Sequence, residues 1–202
     1  MSPFEYLLPT GRFITLTKQP RAQIIYNKQV HQNIIKNFED SSATTEADGI
    51  YMLHSQRLLQ PIAIKTADCL PIFIYGKKGL SFLHAGWKGL QTEIILNQIN
   101  HDLEPETAII GPYIHEDSFE VTGEFKDYFP KSPYFRQHKN KLTFNLGLEA
   151  ARQLRLLNPH MNIIDSGICT YKYKNLHSFR RDKNQERNWN LYIPSYLKFD
   201  YT

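Results

Sequence analysis

Short apolar runs punctuated by turn residues dominate the first half of the chain. Residues 22–26 read as a short strand, and the Ser/Thr-rich stretch 39–46 as a loop. Residues 61–65 form a strand candidate that ends at Thr66-Ala67-Asp68-Cys69. Residues 70–75 and 80–84 flank Gly76-Lys77-Lys78-Gly79, which predicts a hairpin. After Gly86-Trp87-Lys88-Gly89 the apolar positions Leu90, Ile94, Ile95 and Ile99 fall at helical spacing. Residues 108–110 read as another strand, stopped by Gly111-Pro112. Leu146–Leu157 suits a helix closed by Asn158-Pro159, and residues 163–170 suit a strand. With three prolines, residues 1–22 read as loosely structured. Strands and helices alternate, so the class is α/β, and the hairpin argues for mixed rather than purely parallel sheets.

The hairpin carries chemistry. If Tyr75 pairs with Leu80, Pro71 lies opposite His84, and Cys69 shares the face of His84 as its diagonal neighbour at roughly 7–8 Å between backbones. A thiolate and an imidazole can converge across that gap on a metal at about 2.3 and 2.0 Å. The same two residues also fit a small buried hydrophobe and a rim histidine. A third ligand has to come from elsewhere, and spacing does not choose among His31, His54, His101, His115, His138, His160 and His177.

Composition narrows the class. The 202 residues are 41% hydrophobic, enough for a sizeable core in one domain, 1–202. The formal charge of +4 favours small anions but is too weak to argue for nucleic acid. No apolar run reaches membrane-spanning length, and the opening residues do not read as a signal peptide. Two cysteines make no disulfide framework, so the expectation is a cytoplasmic protein with reduced thiols.

Several motifs occur in one order: Gln-Val-His at 29–31, Ala-Asp-Gly at 47–49, Thr-Ala-Asp-Cys-Leu-Pro at 66–71 and His-Ala-Gly-Trp-Lys-Gly at 84–89. Gly111-Pro112-Tyr113-Ile114, Phe119-Glu120-Val121, Gly167-Ile168-Cys169-Thr170-Tyr171 and Ser178-Phe179-Arg180-Arg181-Asp182 continue the series. Across residues 24–190 the chain resembles the laccase-domain or polyphenol oxidase family, which is associated with purine nucleoside phosphorylase and adenosine deaminase activity. The resemblance implies a layered α/β sandwich like that of the cytotoxic-necrotizing-factor and cysteine-hydrolase folds. It also implies a zinc ion, with copper as second choice, held by His31, Cys69 and His84.

Three protein ligands leave one position open, the pattern of a catalytic metal. Such a centre activates water near neutral pH for attack on C6 of adenosine. Asp68 is the candidate proton shuttle or, equally, a turn cap. Asp48 reads as a turn residue or a substrate contact. Phosphorolysis of adenosine, inosine, guanosine or methylthioadenosine needs a phosphate site, for which the resemblance points to Arg180, Arg181 and Arg187, with Lys88 beside them. Guanidinium forks suit phosphate, although a solvated basic face would look the same.

The chain also departs from the family. Family members carry a longer N-terminal arm with a phosphate-binding arginine; residues 13–18 are its nearest counterpart, and Arg12 or Arg21 could substitute. Gln32 stands where the family commonly has Gly, the Cys pair usual near 117–119 is absent, and Cys169 reads as buried strand filling. None of the eight histidines is spaced by two, so a multicopper oxidase cluster cannot be assembled in the usual way. Two rival readings are a hydrolase using Cys69 as nucleophile and His84 as base, acting for instance on a cell-wall precursor, and a non-catalytic metal-binding relic. The implied partners are a nucleoside and phosphate; an oligomer is open.

Overall fold

The computed structural model describes residues 4–200. In chain order the strands and helices are β1 (Phe4–Leu8), β2 (Gly11–Leu16), β3 (Ile35–Asn37), β4 (Gly49–Leu53), β5 (Ile62–Thr66), β6 (Leu70–Gly76) and β7 (Gly79–Ala85). These are followed by α1 (Trp87–Gln91), α2 (Gln98–Asp102), β8 (Pro105–Ile110), β9 (Glu120–Val121), β10 (Phe135–His138) and β11 (Lys141–Phe144). The last are α3 (Leu146–Leu157), β12 (Asn162–Asp165), α4 (Phe179–Asp182) and β13 (Asn188–Pro194). They build a six-stranded sheet of order β12-β8-β6-β7-β4-β3, a four-stranded sheet of order β1-β2-β13-β5 and a small sheet of order β10-β11-β9. The large sheet is mixed: β12 runs parallel to β8 and β3 to β4, and the other pairs are antiparallel.

Alternation along the central hairpin distributes its side chains between two cores. Phe73, Leu80 and Phe82 point toward the four-stranded sheet and pack with Phe13, Ile62, Ile64 and Tyr192. Ile72, Ile74, Leu83 and Ala85 point the other way, onto Ala150 and Leu154 of α3 and the aromatic group of Phe125, Phe129 and Phe144. Between the sheets the Phe73 ring stacks on Tyr192 at 4.7 Å, and Phe13 meets Phe82 edge-on at 5.1 Å.

The hairpin register is the expected one, with Tyr75 opposite Leu80 and Pro71 opposite His84. Leu146–Leu157 is helical as read, and Asn145 caps it by accepting from the Leu148 amide. Other expectations need correction. The opening residues are not loose: β1 and β2 form a hairpin that joins β13. Within the described residues, Pro9 sits in the turn and Pro20 beyond β2, so these prolines bound the strands rather than interrupt them. Residues 22–26 contribute only an isolated bridge, Ile25 to Ile62. The apolar spacing after residue 90 does not make one helix. Glu93 adopts a left-handed conformation (φ 60°) and Asn97 caps a fresh start by accepting from Ile99, so α1 and α2 are separate short turns. The strand expected over 163–170 ends at Asp165, where Gly167 takes φ 64° and its amide donates to the Asp165 carboxylate.

Strand β13 is entirely buried although it carries asparagines. Asn190 accepts from the Thr15 hydroxyl and donates to the Ile64 carbonyl and the Thr66 hydroxyl. One side-chain amide thus joins two hydroxyls and a carbonyl across three strands, and the polar residues that hide the strand from an apolar reading are what lock it in place.

Removing the Phe73 ring from between Phe13, Phe82 and Tyr192 leaves a cavity that these rigid neighbours cannot fill. Phe73→Ala is expected to lower unfolding free energy by about 3–5 kcal/mol, read as a shifted urea midpoint; a shift near zero would show that the inter-sheet core is plastic.

Candidate metal centre

Cys69 lies one residue ahead of β6 and therefore opposite Gly86, which follows β7. His84 is the penultimate residue of β7, on the inter-sheet face with Phe82. His31 arrives from a loop, in a left-handed conformation (φ 61°). The candidate ligand atoms of His31, Cys69 and His84 all lie within 4.8 Å of one another. The two imidazoles meet edge-on, 4.7 Å between centroids and 82° between planes. His84 is buried, Cys69 half-buried and His31 exposed, so the group opens to solvent on one side. Two nitrogens and one sulfur at this spacing fit one tetrahedral metal with a position left for substrate or water.

Asp48, 0% exposed just before β4, organises the group. One carboxylate oxygen accepts from His84 Nδ1 at 2.8 Å and from the His31 amide at 2.9 Å. The other accepts from the amides of Gln32 at 2.8 Å and Val30 at 3.2 Å. Three successive amides therefore cradle one carboxylate, which needs the left-handed turn at His31. The Asp48 backbone carbonyl also accepts from the His84 amide at 2.7 Å. With Nδ1 tied to Asp48, His84 presents Nε2 to the ligand group, the usual outer-shell arrangement for a metal-bound histidine.

The charges follow. Burial pushes the Asp48 carboxyl up, but the His84 hydrogen bond and the amides of Gln32 and His31 outweigh it and hold its pKa below the ordinary value. For His84, burial works against the charged ring, while the Cys69 thiolate and Asp48 prevail and raise its pKa. For Cys69, burial raises the thiol; His84 and His31 reverse this and lower it to about 6. Without metal the centre is thus a thiolate–imidazolium pair, ready to exchange one proton for a cation.

Gly86 explains the His-Ala-Gly-Trp motif. A Cβ there would stand 2.8 Å from Cys69 Sγ and 3.7 Å from the His31 ring. Only a residue without a side chain lets the thiolate approach.

Asp68 faces a different task. At φ 89° it turns the chain into Cys69. Its carboxylate accepts from the Thr170 hydroxyl and from the Arg180 amide, both at 2.7 Å, and its carbonyl from the Ile114 amide at 3.0 Å. It ties the Cys69 turn to three distant segments. The paired arginines also divide. Arg181 is occupied by the carbonyls of Thr170, Tyr171 and Leu176 and by Asp182. Arg180 is half-buried, lies 5.1 Å over the Phe119 ring and donates to the Glu120 carbonyl. Arg187 is half-buried and donates to carbonyls of its own turn and to Gln185. Lys88 is exposed and sits 5.5 Å from the Trp87 ring centroid. Cys169 is buried and bridges to Tyr113 outside any strand.

Sequence reasoning missed the Asp48 cradle and Gly86. Ala-Asp-Gly reads as a turn, and no periodicity reveals that a turn carboxylate is buried beneath a loop 17 residues earlier.

Comparison with known proteins places these residues in a family context. The profile of the family described as multi-copper polyphenol oxidoreductase laccase matches residues 10–192. A purine nucleoside phosphorylase from Aquifex aeolicus is 34% identical over 158 residues, 76% of this chain and 74% of the relative. The purine nucleoside phosphorylase YfiH of Escherichia coli is 32% identical over 176 residues, 81% of this chain and 70% of the relative. The crystal structure of Neisseria meningitidis protein NMB0706 superposes with a TM-score of 0.74 at 25% identity, covering 85% of this chain and 74% of that one.

Three measurements check the centre. Asp48→Asn should weaken metal binding about 10–100-fold, measured by competition with a chromogenic chelator; unchanged affinity would show that the carboxylate is only a fold element. Gly86→Ala should lower metal affinity far more than thermal stability. Because the thiolate is the reactive form, alkylation of Cys69 in metal-stripped protein should rise through a midpoint near pH 6, well below about 8.5 for a free thiol. Metal should protect it.

Proposed function

The chain belongs to the polyphenol oxidoreductase laccase family, and from that premise we propose that it is a zinc-dependent enzyme of purine nucleosides. It cleaves the nucleoside with phosphate and, at the same centre, deaminates adenosine. The observation that carries the reading is the His31–Cys69–His84 group with Asp48 behind it, in a chain whose relatives are named purine nucleoside phosphorylases. A borderline N₂S donor set suits zinc, with copper second.

Bound there, the metal supplies Lewis acidity at the reacting atom. The chain does the rest. Asp48 fixes the His84 ring through Nδ1, and Cys69 and His31 complete the ligand set. Asp68 and Arg181 brace the turn that carries Cys69 and the segment that carries Arg180. Arg180 and Arg187, both half-buried, supply guanidinium groups suited to an anion. In phosphorolysis a phosphate oxygen bonds to C1′ of the ribose, the C1′–N9 bond breaks, and the electron pair leaves with the purine, which takes up a proton.

The absence of any His-X-His pair supports setting polyphenol oxidation aside. A thiolate between two ligand imidazoles supports metal binding over use of Cys69 as a hydrolase nucleophile. Both cysteines are unpaired and no helix of the described residues is long and apolar enough to cross a membrane, which supports a cytoplasmic setting. The stacked sheets with helices on one face support the cytotoxic-necrotizing-factor-like fold class.

The test is to incubate zinc-loaded protein with adenosine, with and without phosphate, and to resolve adenine, inosine and hypoxanthine by chromatography. Adenine that requires phosphate, and inosine that does not, are expected. Both should vanish in His31→Ala and Cys69→Ala. No product under either condition would overturn the reading.

A further inference from the structure

His31 is the exposed member of the ligand group, and its ring has the fewest restraints. Asp48 holds the His84 ring by Nδ1, whereas among the described residues the His31 ring bonds to no oxygen. Its place is therefore set by its backbone. That backbone belongs to residues 17–34, between β2 and β3, which form no strand or helix beyond isolated bridges at Ile25 and Lys28. An irregular segment of this length has many conformations open to it, and each of them would carry the ring elsewhere.

Two side-chain amides remove that freedom, one on each side. Two residues before His31, the Gln29 side chain grips the edge of β5. It donates to the Lys65 carbonyl at 2.7 Å and accepts from the Lys65 amide at 2.8 Å. β5 is the last strand of its sheet, so these backbone groups have no strand partner of their own. Earlier in the loop Ile25 takes the same edge with its backbone, donating to the Pro61 carbonyl and accepting from the Ala63 amide. Gln29 continues that pairing with its side chain, which offers the donor and acceptor of a peptide unit. The chain leaves the edge only there.

Two residues after His31, Asn33 is held from the other sheet. Its side chain donates to the Thr92 carbonyl at 2.7 Å, and its backbone carbonyl accepts from the Asn97 side chain at 2.9 Å. Thr92 and Asn97 lie between α1 and α2, in the connection that follows β7. Asn97 uses its oxygen to cap α2 and its nitrogen to hold Asn33. The loop thus reaches from the four-stranded sheet to the segment that leaves the six-stranded one. His31 stands midway, with the amides of residues 30–32 on Asp48.

We propose that Gln29 and Asn33 are positioning residues for His31. They set its ring against Cys69 and His84 from two sheets, so the cost of ordering the loop falls on folding and not on metal binding. The assignment rests on the reading of His31 as a metal ligand.

Titration of the full-length protein with cobalt(II) tests this, read by the visible spectrum and by chelator competition. Gln29→Met keeps the length of the side chain and removes both hydrogen bonds; Asn33→Ala removes the donor to Thr92. Each should weaken cobalt binding about tenfold, the lower end of what partners that orient a ligand contribute. Each should also alter the d–d bands, which report ligand geometry. The thiolate-to-cobalt charge-transfer band should persist, because Cys69 is held by separate contacts. His31→Ala sets the limit of complete loss of this ligand. Wild-type affinity and bands in either folded variant, where His31→Ala changes both, would overturn the proposal. Equal changes in Phe73→Ala, which loosens the core away from the loop, would mark the effect as general and overturn it too. Unchanged binding in His31→Ala would sink the ligand reading, and the proposal with it. Should Gln29→Met fail to fold, the exposed Asn33→Ala decides alone.

Discussion

Everything at the centre depends on one buried carboxylate. Asp48 is withdrawn from solvent and remains charged because three backbone amides and one imidazole donate to it. Removing a charge from water costs several kcal/mol unless its oxygens are satisfied, and here all four donors come from segments that must be placed anyway. The amides force the left-handed turn at His31. The imidazole bond selects the His84 tautomer. One group thus sets the orientation of two ligands, on a loop and a strand that share no other reason to meet.

The third ligand is positioned by an independent device. Cys69 follows a residue with φ 89°, and that strain is held by Thr170, Arg180 and Ile114, each bonded to Asp68. Strained backbone at a functional site persists when its surroundings over-determine it. Arg181 closes the same arrangement from behind by tying together three carbonyls. The two aspartates do parallel work: each converts a turn into a rigid mount. Gly86 then removes the one atom that would keep the thiolate away from the histidines.

The two sheets explain why the site stays open. His84 shares its strand face with Leu80 and Phe82, so the metal centre caps one end of the inter-sheet core. Below it the rings of Phe13, Phe73 and Phe82 are fully buried and in mutual contact. Beyond it lies His31, which is exposed, so the ligand group meets solvent on that side. A closed core beneath an open polar rim keeps the ligands fixed while leaving room for exchange.

The sequence by itself determined the hairpin and its register, because a Gly-Lys-Lys-Gly turn between two apolar runs leaves little freedom and period-2 alternation then assigns faces. That was enough to put Cys69 beside His84. It also determined α3, which Asn158-Pro159 closes. The motif series identified the family and, with it, His31. Only the tertiary structure decided what the aspartates do, because a turn residue's local pattern is the same whether its carboxylate meets water or a distant loop. Only the tertiary structure separated Arg181, enclosed by carbonyls, from Arg180, which lies over Phe119, and Arg187, which bonds within its own turn. It also turned the proline-bearing N-terminus into a hairpin and the asparagine-bearing Asn188–Pro194 into a buried strand. In each case the deciding partner lies far away in the chain, and no local propensity encodes a contact of that range.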